Sequence, residues 1–158
     1  MEGGARREGA IPCTILSIDH RDMYYRVCSI CEKTLPSPNL LCNFCSKNNN
    51  NASSKRLFRI LMSIATDTKV VTVICFDRVA RVLFGCSADE FFNFAKLHPF
   101  SGVTVNEILE GEMFTVTFSK SVSGNAQHTR LASAVPLSSV FRPVIQVLRE
   151  CYGSQHGS

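Results

Sequence analysis

No tryptophan occurs among the 158 residues, and no apolar run approaches the roughly 20 residues that cross a bilayer. A membrane-spanning helix is therefore not expected. The opening Met1-Glu2-Gly3-Gly4-Ala5-Arg6-Arg7-Glu8 is polar, with no apolar segment behind it of the kind that forms a secretory leader. The expectation is an intracellular chain with reduced thiols. Catalytic signatures are missing too. There is no Ser/His/Asp arrangement, no phosphate-cradling glycine loop and no H-E-x-x-H. Glu107, Glu110 and Glu112 fall near an expected helix end and its turn, where surface carboxylates are ordinary. The chain does not read as an enzyme.

Net charge is also small. The 17 Lys and Arg against 13 Asp and Glu leave +4, too little on its own to announce a nucleic-acid binder. Its placement says more: between Asp19 and Arg59 seven basic residues meet three acidic ones, and elsewhere ten meet ten. The 45% hydrophobic content, with 11 Phe, excludes disorder as the dominant state. The length suits one core.

Periodicity gives the layout. Strands are expected at 11–18, 23–27, 57–65, 70–76, 113–120 and 129–135, from β-branched runs or alternation. Thr66-Asp67-Thr68-Lys69 joins two of them as a hairpin turn, Ser123-Gly124-Asn125 joins two more, and the polar stretch from Asn48 to Ser54 breaks regular structure. Asp77 is placed to cap a short helix ended by Gly85, with Val79, Val82 and Leu83 on one face. Ser87-Ala88-Asp89-Glu90 is a capping box for a second helix, and a third begins near Thr104. Five strands with a helical segment between the third and fourth, plus an insert after the first, make the layout of an OB-fold barrel. The fold class expected is mainly β: a five-stranded OB-fold barrel, an inserted four-cysteine zinc ribbon and a C-terminal α-helix. Residues 1–10 read as a flexible arm, 11–152 as the domain (ribbon 28–45, tail helix about 138–152) and 153–158 as a tail.

Of the eight cysteines, four form two C-x-x-C knuckles, Cys28/Cys31 and Cys42/Cys45, with ten residues between them. Two intervening residues let paired thiolates turn to one ion, and four soft ligands fill a zinc tetrahedron without leaving room for water. A structural zinc is the reading; a redox dithiol pair would need only one such motif, at a helix start. Cys13, Cys75, Cys86 and Cys151 are scattered singly in apolar stretches and read as small buried hydrophobes. The four histidines have no ligand spacing.

With these residues in place, the chain resembles the C-terminal, zinc-containing OB domain of the large subunit of replication protein A. The resemblance runs through about residues 11–150. It rests on the strand leading by Tyr24-Tyr25-Arg26-Val27-Cys28 into the first knuckle, on Cys42 to Cys45, and on Phe58-Arg59 and Val71-Thr72-Val73. Phe76-Asp77, Leu83-Phe84-Gly85 and the late strands Phe114 to Lys120 and Arg130 to Val135 complete it. Phe84-Gly85-Cys86-Ser87-Ala88 and the tail helix also resemble noxin-like members, the DNA-damage-induced apoptosis suppressors. The resemblance implies single-stranded DNA binding across the barrel's concave face, a nuclear location and a role in replication, repair or recombination.

Such a groove needs cations for phosphates and aromatic faces for bases. Tyr24, Tyr25, Arg26, Arg56, Phe58, Arg59, Lys120 and Arg130 are the candidates. One of the two tyrosines must face inward, and Phe58 alternates with Ile60, Met62 and Ile64 and so also reads as core. Phe76, Phe91, Phe92, Phe94, Phe114 and Phe118 are assigned to packing. Val140, Phe141, Val144, Ile145 and Leu148 make an apolar stripe on the tail, with Pro143 in its first turn or kinking it. By the resemblance that stripe docks a partner or a second copy; alternatively it packs on its own barrel. The alternative function is accordingly a protein-interaction module with little or no nucleic-acid binding.

Overall fold

A computed structural model describes residues 9–36, 42–48, 53–119 and 128–153. Lys120, the turn at 123–125, most of the arm, most of the polar loop and the last five residues lie outside that set. Six strands and five helices occur among the described residues: β1 (Ile11–Ile18), β2 (Tyr24–Cys28), α1 (Asn43–Asn48), β3 (Ser54–Ala65), β4 (Val70–Phe76), α2 (Asp77–Phe84), α3 (Ala88–Leu97), α4 (Ser101–Leu109), β5 (Met113–Ser119), β6 (Thr129–Pro136) and α5 (Val144–Tyr152). The strands run β1-β5-β6-β4-β3, and β1 pairs again with β3. Five strands thus form a ring, closed between β4 and β6 by the pairs Val73–Thr129 and Ile74–Arg130, while β2 hangs on β3 and leads into the cysteine module. This is the expected barrel, ribbon insert and terminal helix.

Alternation explains why the ring has an inside. Phe58, Ile60, Met62 and Ile64 of β3, Val73 and Cys75 of β4, and Phe114 and Val116 of β5 are all buried. Helices α2 and α3 close one end with Phe84 and Phe91, whose rings meet edge-on at 5.1 Å, while Phe58 lies 4.6 Å from Phe84. Burying a ring of this size contributes roughly 1.5–3 kcal/mol.

The helix boundaries refine the expectations. Ser87 caps α3 by accepting from the Glu90 N–H at 3.1 Å. Asp77 is not the cap of α2 but its first residue; its carboxylate accepts from the Phe58 N–H (3.0 Å) and Arg81 Nε (2.8 Å), tying α2 to β3. Val82 is exposed, and Ala80 and Phe84 take its place on the buried face. Gly85 has φ 74°, and a Cβ there would stand 2.4 Å from the Pro143 side chain. Both the left-handed turn and the close approach require glycine.

Helix α5 starts after Pro143, shorter than the expected 138–152, because a residue before proline is driven out of helical conformation. The apolar stripe does not project. Val144, Ile145 and Leu148 are buried in the barrel's own core, and Phe141 meets Phe114 at 5.2 Å. The partner-docking reading of these side chains is corrected by that burial, and only Val140 remains largely exposed. Cys13, Cys75 and Cys86 are buried as expected, whereas Cys151 is exposed.

Candidate functional site

The cysteine module is built by a tight local turn. Strand β2 delivers Cys28, whose N–H donates to the Lys33 carbonyl and whose carbonyl accepts from the Glu32 N–H, both at 2.9 Å. That turn passes through a left-handed residue, Glu32 at φ 62°, held by its carboxylate on Lys55 Nζ at 2.6 Å. The chain then returns beside β2 through a Val27–Thr34 bridge. Cys42 precedes α1 and Cys45 lies within it.

The four Sγ atoms of Cys28, Cys31, Cys42 and Cys45 lie within 4.8 Å of one another, and Cys31 and Cys42 are 3.8 Å apart. Zinc bonded to four sulfurs at about 2.3 Å has tetrahedral edges of about 3.8 Å, so the donor set fits that ion. Backbone amides of Cys31 and then Ile30 turn toward the Cys28 sulfur and pull its thiol down to about 7; the Cys45 amide lowers Cys42 likewise. Cys45 is pushed up to about 12, first by burial and then by its sulfur neighbours. Four sulfurs this close cannot all carry charge without a cation among them.

A second cluster forms where β2, β3, β4 and β6 turn their other face outward. Tyr25 stands opposite Leu57, and Arg59 opposite Phe76. Ile74 of β4 is matched to Arg130 in the parallel pairing of β4 with β6. Tyr25 meets the Phe76 ring edge-on at 6.0 Å, and the Arg130 guanidinium covers that ring at 4.5 Å. Arg59 and Arg130 are exposed, and among the described residues neither guanidinium has an ion-pair or hydrogen-bond partner. Partial burial raises the Tyr25 hydroxyl above its ordinary value, so the ring is neutral. Toward β1 the same face deepens into an open cleft of about 380 Å³, with Ser17, Arg21, Leu61, Ser63 and Thr72 among its walls.

The expected nucleic-acid residues therefore divide. Tyr25, Arg59 and Arg130 converge on this outward face. Tyr24 faces the core, stacked 6.1 Å from Phe58, and burial raises its hydroxyl strongly. Phe58 has no exposed surface and cannot stack on a base. Arg26 and Arg56 stand opposite each other on the Tyr24 side of β2 and β3. Arg26 is bonded to Ser54 Oγ. Arg56 lies 2.9 Å from Asp89 Oδ1 and 3.4 Å from the Phe92 ring centre. These four side chains are engaged within the fold, which corrects their assignment to the groove. Phe76, assigned to packing, is instead a half-buried member of the outward cluster. Its signal was the alternation of β4: with Val73 and Cys75 inward, Phe76 must point the other way.

Residues 10–131 match the family described as the replication factor-A C-terminal domain. A search of curated proteins finds no match. A solved replication protein A heterotrimer bound to ssDNA aligns with a TM-score of 0.64 at 14% identity, over 92% of this chain and 34% of that one. Yeast RPA bound to ssDNA aligns with a TM-score of 0.58 at 16% identity, over 98% of this chain and 92% of that one. At these identities the likeness is one of fold, and this chain spans about a third of the length of the first structure's chain.

Proposed function

The chain belongs to the replication factor-A C-terminal domain family, and from that premise we propose that it is a non-catalytic, single-stranded DNA-binding module acting in replication, repair or recombination in the nucleus. The observation that carries this reading is the outward cluster of Tyr25, Phe76, Arg59 and Arg130. It joins aromatic surface to two cations that have no acidic partner among the described residues, the pairing that single strands require: base stacking worth roughly 1–3 kcal/mol per base and phosphate neutralisation. One such module by itself binds more weakly than the same module in a tandem array, which gains by effective concentration. The test is titration of fluorescent oligo-dT with metal-loaded protein at two salt concentrations. Micromolar or tighter binding that weakens with salt is expected; no binding up to high micromolar at either salt would leave the reading without support.

Cys28, Cys31, Cys42 and Cys45 would hold one structural zinc, whose role is to cross-link the two knuckles. Among the described residues only Leu35 packs against the sulfur cluster, and metal bonds would supply the cross-links that fix the module's shape. Metal analysis is expected to give one zinc per chain, and chelation to lower the melting temperature. A metal-free chain with unchanged melting would contradict this assignment.

A further inference from the structure

The cleft beside the outward cluster has a feature that phosphate binding does not account for. The pairing of β1 with β3 shifts register between Ile15 and Ser17, so that Ile15 opposes Ile64 but Ser17 opposes Ser63. Without this bulge Leu16 would oppose Ser63, and Ser17 would turn toward the core. Bulges re-aim side chains in this way. On the other side of β3, Ser63 opposes Thr72. Three hydroxyls, Ser17, Ser63 and Thr72, are therefore lined up across three strands, with neighbouring Cβ atoms about 4.5–5.5 Å apart. Among the described residues none of these side chains has a hydrogen-bond partner. Elsewhere in the barrel the cross-strand pair Thr117 and Ser133 satisfies itself at 2.7 Å.

The charged walls of the cleft, Asp19 and Arg21, are paired with each other, and His20 stands beside them. Asp19 lines the cleft, and its carboxylate is held by Arg21 through Nε at 3.0 Å and Nη2 at 3.3 Å. The fork neutralises both charges and leaves a planar guanidinium whose side chain is 82% exposed, a surface for stacking. Leu61 adds an apolar wall. A flat apolar body with donors and acceptors on its edge fits these surroundings.

We propose that this cleft seats one unstacked nucleobase and reads its edge through the hydroxyls of Ser17, Ser63 and Thr72, while the sugar–phosphate backbone follows Arg59 and Arg130. The inference rests on the single-strand reading above and adds base selectivity to it. Each hydroxyl both donates and accepts, so the row can discriminate between base edges without carrying charge.

The experiment measures affinity for oligo-dT, oligo-dC and oligo-dA of equal length, at two salt concentrations, for the native chain and for the double variant Ser63→Ala/Thr72→Val. Native protein is expected to rank the three with a spread of about fivefold or more, the low end for hydrogen-bonded base reading. The double variant is expected to hold the same fold, compress the spread to within about twofold and keep the native salt dependence. Should it fold poorly, Ser17→Ala takes its place with the same expectation. No spread in the native protein, or a spread the variants leave intact, overturns the inference while single-strand binding stands. A reduced salt slope in the variants assigns the cleft to a phosphate and overturns it too. Absence of binding to all three oligonucleotides removes the single-strand reading itself.

Discussion

Strand β3 carries Arg56 and Arg59 on opposite faces, and the two arginines do different work. Arg56 shares its face with Phe58, is bonded to Asp89 and lies on the Phe92 ring. Its charge is consumed inside the molecule, where it fastens α3 to the barrel. Arg59 shares its face with Leu57 and Leu61 and stands opposite Phe76, exposed and without an acidic partner among the described residues. The tyrosines of β2 divide in the same way, Tyr24 against Phe58 and Tyr25 against Phe76. Residue type alone does not decide between holding the fold and offering a surface. The parity of the residue along the strand, and what the opposite element brings to it, does.

The largest effect expected from breaking this division is on stability. Phe58→Ala should cost about 3–5 kcal/mol, as for other buried aromatic truncations, measured by denaturant unfolding. A loss below about 1 kcal/mol would mean the inward face is not the core. Tyr25→Ala should instead leave the unfolding midpoint nearly unchanged and weaken single-strand affinity by about 1–3 kcal/mol, one base stack; equal loss of affinity in Tyr24→Ala, with its fold intact, would erase the distinction between the faces. Arg56→Ala is the smallest of the three. It should lower stability by about 1 kcal/mol, from a partly exposed ion pair and a cation–π contact, with the salt dependence of binding kept at the native slope.

Local features were legible in the sequence. The knuckle spacing located the cysteine cluster, β-branched runs or alternation located the six described strands, and the Ser87 capping box located the start of α3. What the sequence left open involved partners distant along the chain. Nothing near Arg56 announces Asp89, which reaches it only after β3, β4 and α2 have been laid down. The tail stripe of Val144, Ile145 and Leu148 declares that it must be covered, but amphipathicity does not say by what, and here the barrel covers it. Alternation marks Phe76 as outward, but a phenylalanine in a hydrophobic run is usually core, and the two signals conflict at that position. The β1 bulge that turns Ser17 outward has no mark in composition or spacing.

The outward cluster is tested most directly by titrating oligo-dT with the native chain and with Arg59→Ala/Arg130→Ala at two salt concentrations, alongside the melting temperature of each. The account predicts salt-sensitive binding by the native chain. In the variant, melting should be unchanged, affinity weaker at low salt, and the log–log salt slope smaller by about 0.7 for each phosphate no longer neutralised. Native affinity and slope retained in the folded variant would contradict it.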